Sequence, residues 1–111
     1  MQKFFAYENA KEMCRLLPPV MARIKVRSSD LADQLERAAT SIMLNLMEGN
    51  RRIGKDRLKY FRYAEGSALE IRAVFDVVTM WDYADVTAIE PILDRQIALM
   101  WGLMHSKKLR G

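Results

Sequence analysis

The stretch ERAATSIMLNLMEGNRRIGKDRLKYFRYAEGSALEIR, Glu36 to Arg72, decides the fold. Its first half is an Ala-rich amphipathic helix. Ala38, Ile42 and Leu46 continue a line begun by Leu31 and Leu35, and Ala39 and Met43 widen it. Gly49 marks the natural stop. A short, strongly basic link follows, and then a second periodic run sets Leu58, Phe61, Ala64, Ala68, Ile71 and Phe75 on one face. Two helices joined by so short a link lie antiparallel.

The same periodicity extends outward in both directions. Upstream, Ala10, Met13, Leu17, Met21 and Ile24 form a stripe that keeps its phase across Pro18 and Pro19. A proline inside a helix removes a donor and crowds the preceding turn, so one helix kinked near Leu17 is expected rather than two short ones. Ser28, Ser29 or Asp30 supplies the cap of the next helix. Downstream, YADVT reads as a turn, with Thr87 and Glu90 as a capping box and Pro91 harmless in the first turn. Ile89, Leu93, Ile97, Met100 and Met104 carry the last stripe. Strand alternation and hairpin dipeptides are absent from the sequence. The prediction is an all-α protein, an up-down-up-down antiparallel four-helix bundle in one domain, with helices over about 4–25, 29–49, 56–83 and 88–107.

Composition narrows the function classes. With 111 residues, half of them apolar and 29% charged, the chain suits one soluble core. No apolar run approaches the length of a membrane span, and the start MQKFFAYENAKEM lacks the pattern of a signal peptide, so a cytoplasmic location is expected. Cys14 is the single cysteine and His105 the single histidine. They do not suffice for a common zinc site, and no Glu-x-x-His pair suggests a di-iron bundle; neither metal nor cofactor is expected. No nucleophile, ligand set or Gly-rich phosphate loop points to catalysis, and no catalytic residue is assigned. Upstream of His105 no Arg lies four to six residues away, and Arg95 is too distant, so the pattern of an all-helical ribonuclease is lacking.

Gly66 in mid-helix costs about 1 kcal/mol relative to Ala. Close packing of the two central helices through Ala38, Ala39, Gly66 and Ser67 is the expected compensation. Asn45, Glu48 and Glu70 lie on or beside the apolar stripes and need partners if buried. With Arg37 and Arg72 they are expected to form a structural polar network.

The pattern QLERAATSI, Asn45, Glu48-Gly49, then AEGSALEIR resembles the 23S rRNA intervening-sequence protein family. The resemblance rests on Gln34, Arg37, Ala38, Ser41, Ile42, Asn45, Glu48, Gly49, Phe61, Ala64, Gly66, Ser67 and Glu70. The chain departs from the family in having Met43 where a proline usually follows Ser-Ile, and in lacking the proline that often separates the first two helices. The resemblance implies a small four-helix bundle. Relatives of the fold include accessory proteins of diversity-generating retroelements, which implies a homopentamer and, as a further partner, a reverse transcriptase. Trp81, Tyr83, Trp101, Tyr60, Tyr63 and Tyr7 exceed what a thin core absorbs, and interfaces favour such residues.

Antiparallel topology turns sequence position into place. Arg51, Arg52, Lys55, Arg57, Lys59 and Arg62, with Asp56 the one acid among them, meet the C-terminal Lys107, Lys108 and Arg110 at one end. Asp76, Asp82, Asp85, Glu90 and Asp94 are expected at the other. Clustered cations attract polyanions by counterion release, so RNA or DNA is the expected partner of the basic end, with Tyr60 and Tyr63 placed to stack on bases.

Overall fold

The computed structural model describes residues 4–105. Four helices account for most of them: α1 (Phe5–Arg27), α2 (Ser29–Asn50), α3 (Gly54–Met80) and α4 (Glu90–Met104). Each packs on its neighbour in sequence, and α1 packs on α4, which closes the square of an antiparallel bundle 46 Å long and 21 Å across. Direction is fixed by paired contacts. Ser41 faces Ser67 while Gly49 faces Phe61, so α2 and α3 run oppositely. Ala6 meets Gln96 while Asn9 meets Ile92, so α1 and α4 do too.

Helix α1 runs unbroken through Pro18 and Pro19. Both prolines are exposed, so their rings lie on the outer face of the helix. A single residue, Ser28, turns α1 into α2. Its Oγ accepts the Leu31 N–H at 3.2 Å, and its own N–H donates to the Ile24 carbonyl at 2.8 Å, so one residue caps both helices.

The core is the predicted set of stripes, with Met13, Leu17, Ile24, Leu35, Ile42, Leu46, Ile71, Phe75, Leu93 and Met100 fully buried. One polar side chain among the described residues joins them. Gln96, 0% exposed, donates to the Ala6 carbonyl at 3.0 Å and accepts from Asn9 Nδ2 at 2.8 Å. Asn9 also donates to the Ile92 carbonyl at 3.1 Å. The amide pair fixes the register of α4 on α1, and among the described residues no buried side-chain polar atom is left unpaired.

Three expectations about helix ends are corrected. Thr87 does not cap α4: its N–H and hydroxyl both donate to Asp85 Oδ1, at 3.0 and 2.6 Å, because Asp85 closes a tight turn two residues upstream. The helix starts at Glu90 after Ile89. Gly49 does not stop α2, which continues to Asn50. And α4 begins partway down the bundle, since Ile92 and Gln96 face the first turns of α1. Glu90 and Asp94 therefore lie along the flank rather than at the far end, and Asp94 pairs with Arg72 of α3.

Candidate nucleic-acid interface

The link between α2 and α3 is organised around Phe61, which is 2% exposed. A Cβ on Gly49 would stand 2.6 Å from Phe61 Cε1 and 2.7 Å from Cδ1. Only a glycine admits that ring against the α2 backbone. From the other side the Phe4 ring packs on Phe61 with centroids 6.1 Å apart. The start of α1, the end of α2 and the start of α3 thus share one end of the molecule.

The cations of this end fall into three groups. Arg57 is committed to the fold: its Nε donates to the Gly49 carbonyl at 3.1 Å and its Nη2 to the Asn50 carbonyl at 3.0 Å. A guanidinium on the free carbonyls of a helix C-terminus satisfies them and opposes the dipole. Arg51 and Arg52 both bind Glu48, through their Nε atoms at 2.7 and 2.9 Å. Arg52 also approaches Asp56 at 3.6 Å and lies over the Tyr60 ring, 5.1 Å from its centroid. The Arg52 hydrogen bond first, and then Arg51, hold the Glu48 carboxyl below the usual carboxylate range.

Lys55, Lys59 and Arg62 form the third group. They are exposed and, among the described residues, carry no ion pair. Their spacing of four and three places them on one face of the first turns of α3, about 6 and 4.5 Å apart along the axis. Lys59 Nζ lies 5.0 Å from the Tyr60 centroid, so it shares that ring with the Arg52 guanidinium. Tyr63 meets Tyr60 edge-on at 5.8 Å and is 53% exposed, so it is the ring with free area. Lys107, Lys108 and Arg110 lie outside the described residues.

The expected polar network does not form as a unit. Asn45 donates to the Ser41 carbonyl and hydroxyl within α2, at 2.9 and 3.0 Å. Glu48 belongs to the basic end, and Arg72 to Asp94. Arg37 and Glu70 are exposed and have no ion-pair partner among the described residues. The physical reason is phase: these positions flank the stripes instead of sharing them, so water solvates them. Arg37, Ser41 and Asn45 line a shallow depression on α2 with Glu36, Thr40 and Leu44.

Gly66 is corrected as well. It is exposed, and a Cβ there would meet nothing within 4 Å. Two residues past buried Ala64 and two before buried Ala68, it points away from α2. Ala38 and Ala39 are buried as expected, and Ser67 reaches α2 by donating to the Ser41 hydroxyl at 2.8 Å. The close approach that sequence reasoning sought at Gly66 occurs at Gly49.

Elsewhere, His105 stacks on Trp101 with centroids 3.9 Å apart, and its Nδ1 lies 2.7 Å from the Trp101 carbonyl. Among the described residues no three His, Cys, Asp or Glu side chains cluster as metal ligands, and no helix is long and apolar enough to cross a membrane.

These features define a class: a small antiparallel helical bundle, sealed by apolar side chains and carrying concentrated cations at the α2–α3 link. Within that class the chain belongs to the 23S rRNA-intervening sequence protein family, whose model matches residues 3–102. No curated protein and no solved structure matches it.

Proposed function

We propose that this protein is a non-enzymatic bundle that binds RNA or DNA through the phosphates, using the basic end. The observation that carries the reading is the exposed face of Lys55, Lys59 and Arg62, free of ion pairs among the described residues. Cations not neutralised by a carboxylate displace the counterions condensed on a polyanion when they meet its phosphates, a gain that is independent of sequence. Arg57 drops out of the contact set because its donors already serve α2. Tyr63 adds an exposed ring beside the cations on which an unpaired base stacks.

The bundle acts as a homo-oligomer in this reading. Leu44, Met47, Leu69, Met80, Trp81 and Trp101 are each 45% exposed or more. Together with the depression at Arg37, Ser41 and Asn45, they give α2, the α3 end and α4 outer faces suited to a second copy. A cyclic assembly, a pentamer by family resemblance, repeats the basic end around a ring. A reverse transcriptase as protein partner belongs to the same resemblance, while a cytoplasmic location is proposed from the sequence pattern alone.

Reversing Lys55, Lys59 and Arg62 to Glu tests the reading, since all three are exposed and their loss leaves the core intact. The wild type should hold labelled single-stranded RNA at low salt, and the triple variant should not. Equal retention by a folded triple variant would overturn the assignment.

A further inference from the structure

Glu48 is the acidic residue least suited to its position. It stands two residues before the end of α2, where free carbonyls and the helix dipole already concentrate negative charge. The residues that follow the helix supply the compensation. Arg51 ends α2 with φ −90° and ψ 0°, and the Arg52 N–H donates to the Gly49 carbonyl at 3.1 Å. The chain therefore carries one more turn past Asn50 and, at helical spacings of three and four, lays both guanidiniums on a single carboxylate oxygen, Oε2, at 2.7 and 2.9 Å. The Glu48 side chain is 31% exposed, and Arg52, at 35%, is further seated over Tyr60. Asp56, at 3.6 Å and 61% exposed, holds Arg52 less closely. Carboxylate and phosphate engage the guanidinium through the same donors, so one excludes the other at a given N–H.

We propose that Glu48 is an internal competitor for phosphate: a carboxylate built into the basic end that occupies Arg51 and Arg52 until a nucleic acid displaces it. The inference rests on the reading above, that this end meets nucleic acid. Lys55, Lys59 and Arg62 are then the standing contacts, while Arg51 and Arg52 join only by exchanging Glu48 for phosphate. Affinity is held below what the full set of cations would give. Glu48 thereby sets how readily the protein lets go.

The experiment is a double-mutant cycle read by fluorescence anisotropy of labelled single-stranded RNA across a salt series. The proteins are the wild type, Glu48→Gln, Arg51→Gln/Arg52→Gln and the triple combination, each checked for helix content by circular dichroism. Glu48→Gln should tighten binding roughly three- to tenfold at low salt and steepen the salt dependence by roughly 0.7 for each guanidinium released onto the strand. In the Arg51→Gln/Arg52→Gln background the same change should do nothing. A gain of equal size in both backgrounds would reduce Glu48 to one negative charge among others and overturn the proposal. Weaker binding by Glu48→Gln would also overturn it, since Glu48 would then be presenting the arginines. Should the wild type bind no RNA, the proposed function fails at that point; the competitor proposal still requires Glu48→Gln to acquire binding and falls if it does not.

Discussion

Replacing glycine by alanine in a helix should have opposite signs at two sites of this protein. At Gly66 a methyl group meets nothing within 4 Å, so only the backbone term acts. Alanine restricts the unfolded chain and favours the helix by about 0.5–1 kcal/mol, which for a domain of this size raises Tm by about 2 to 6 °C. At Gly49 the same backbone gain is opposed by a methyl placed 2.6 and 2.7 Å from two Phe61 ring carbons and 3.3 Å from the Arg57 carbonyl oxygen. Neither neighbour yields easily. The ring is rigid, buried and backed by Phe4, and the carbonyl is backbone. Overpacking of this kind costs about 1–3 kcal/mol, leaving a net loss of up to about 2.5 kcal/mol and a Tm lower by up to about 10 °C. Thermal unfolding followed by circular dichroism at matched concentration reads both. A stabilised Gly49→Ala would refute the close approach at the α2–α3 link. A destabilised Gly66→Ala, with a loss that depends on protein concentration, would show that the space beside Gly66 is filled by another chain.

Three further outcomes are expected. Gln96→Ala removes a fully buried side chain and both of its hydrogen bonds, so urea unfolding should show a loss of about 2–4 kcal/mol, larger than for Asn9→Ala. The Glu48 carboxyl is held below its unfolded value chiefly by Arg52, and that of Asp85 chiefly by the Thr87 hydroxyl. Each contribution is complete above the unfolded carboxylate pKa, near 4, and disappears as pH falls through the depressed folded value. The stability advantage of the wild type over Glu48→Gln, and over Asp85→Asn, should therefore be largest at neutral pH and shrink below about pH 4. Finally, burial pushes the Cys14 thiol above its ordinary range, so a thiol-specific disulfide reagent at pH 8 should react with it more slowly in the native protein than after denaturation.

The helices were legible because apolar spacing alone determines them. The line Phe61, Ala64, Ala68, Ile71, Phe75 is buried at every position, and it already places Gly66 on the opposite side. Reading Gly66 as an internal packing residue set helix propensity above phase, and phase decides. Gly49 was harder to read, since a glycine near a helix end serves equally as a stop or as room for a ring. Only the position of Phe61 across the link distinguishes the two. The start of α4 was obscured by Thr87 and Glu90, which have the spacing of a capping box, while Asp85 two residues earlier takes the Thr87 donors first. At the basic end, charge was visible in the sequence but its allocation was not. Which arginines are bound to Glu48 and which one serves the α2 carbonyls depends on how the link turns.

The central claim is that exposed cations without an ion-pair partner among the described residues make this end of the bundle a phosphate-binding surface. Its most direct measurement is the slope of log K against log salt for wild-type protein and single-stranded RNA. Three or more phosphate contacts predict a slope of about −2 or steeper. Absence of binding at low salt, or a slope near zero, would contradict the account.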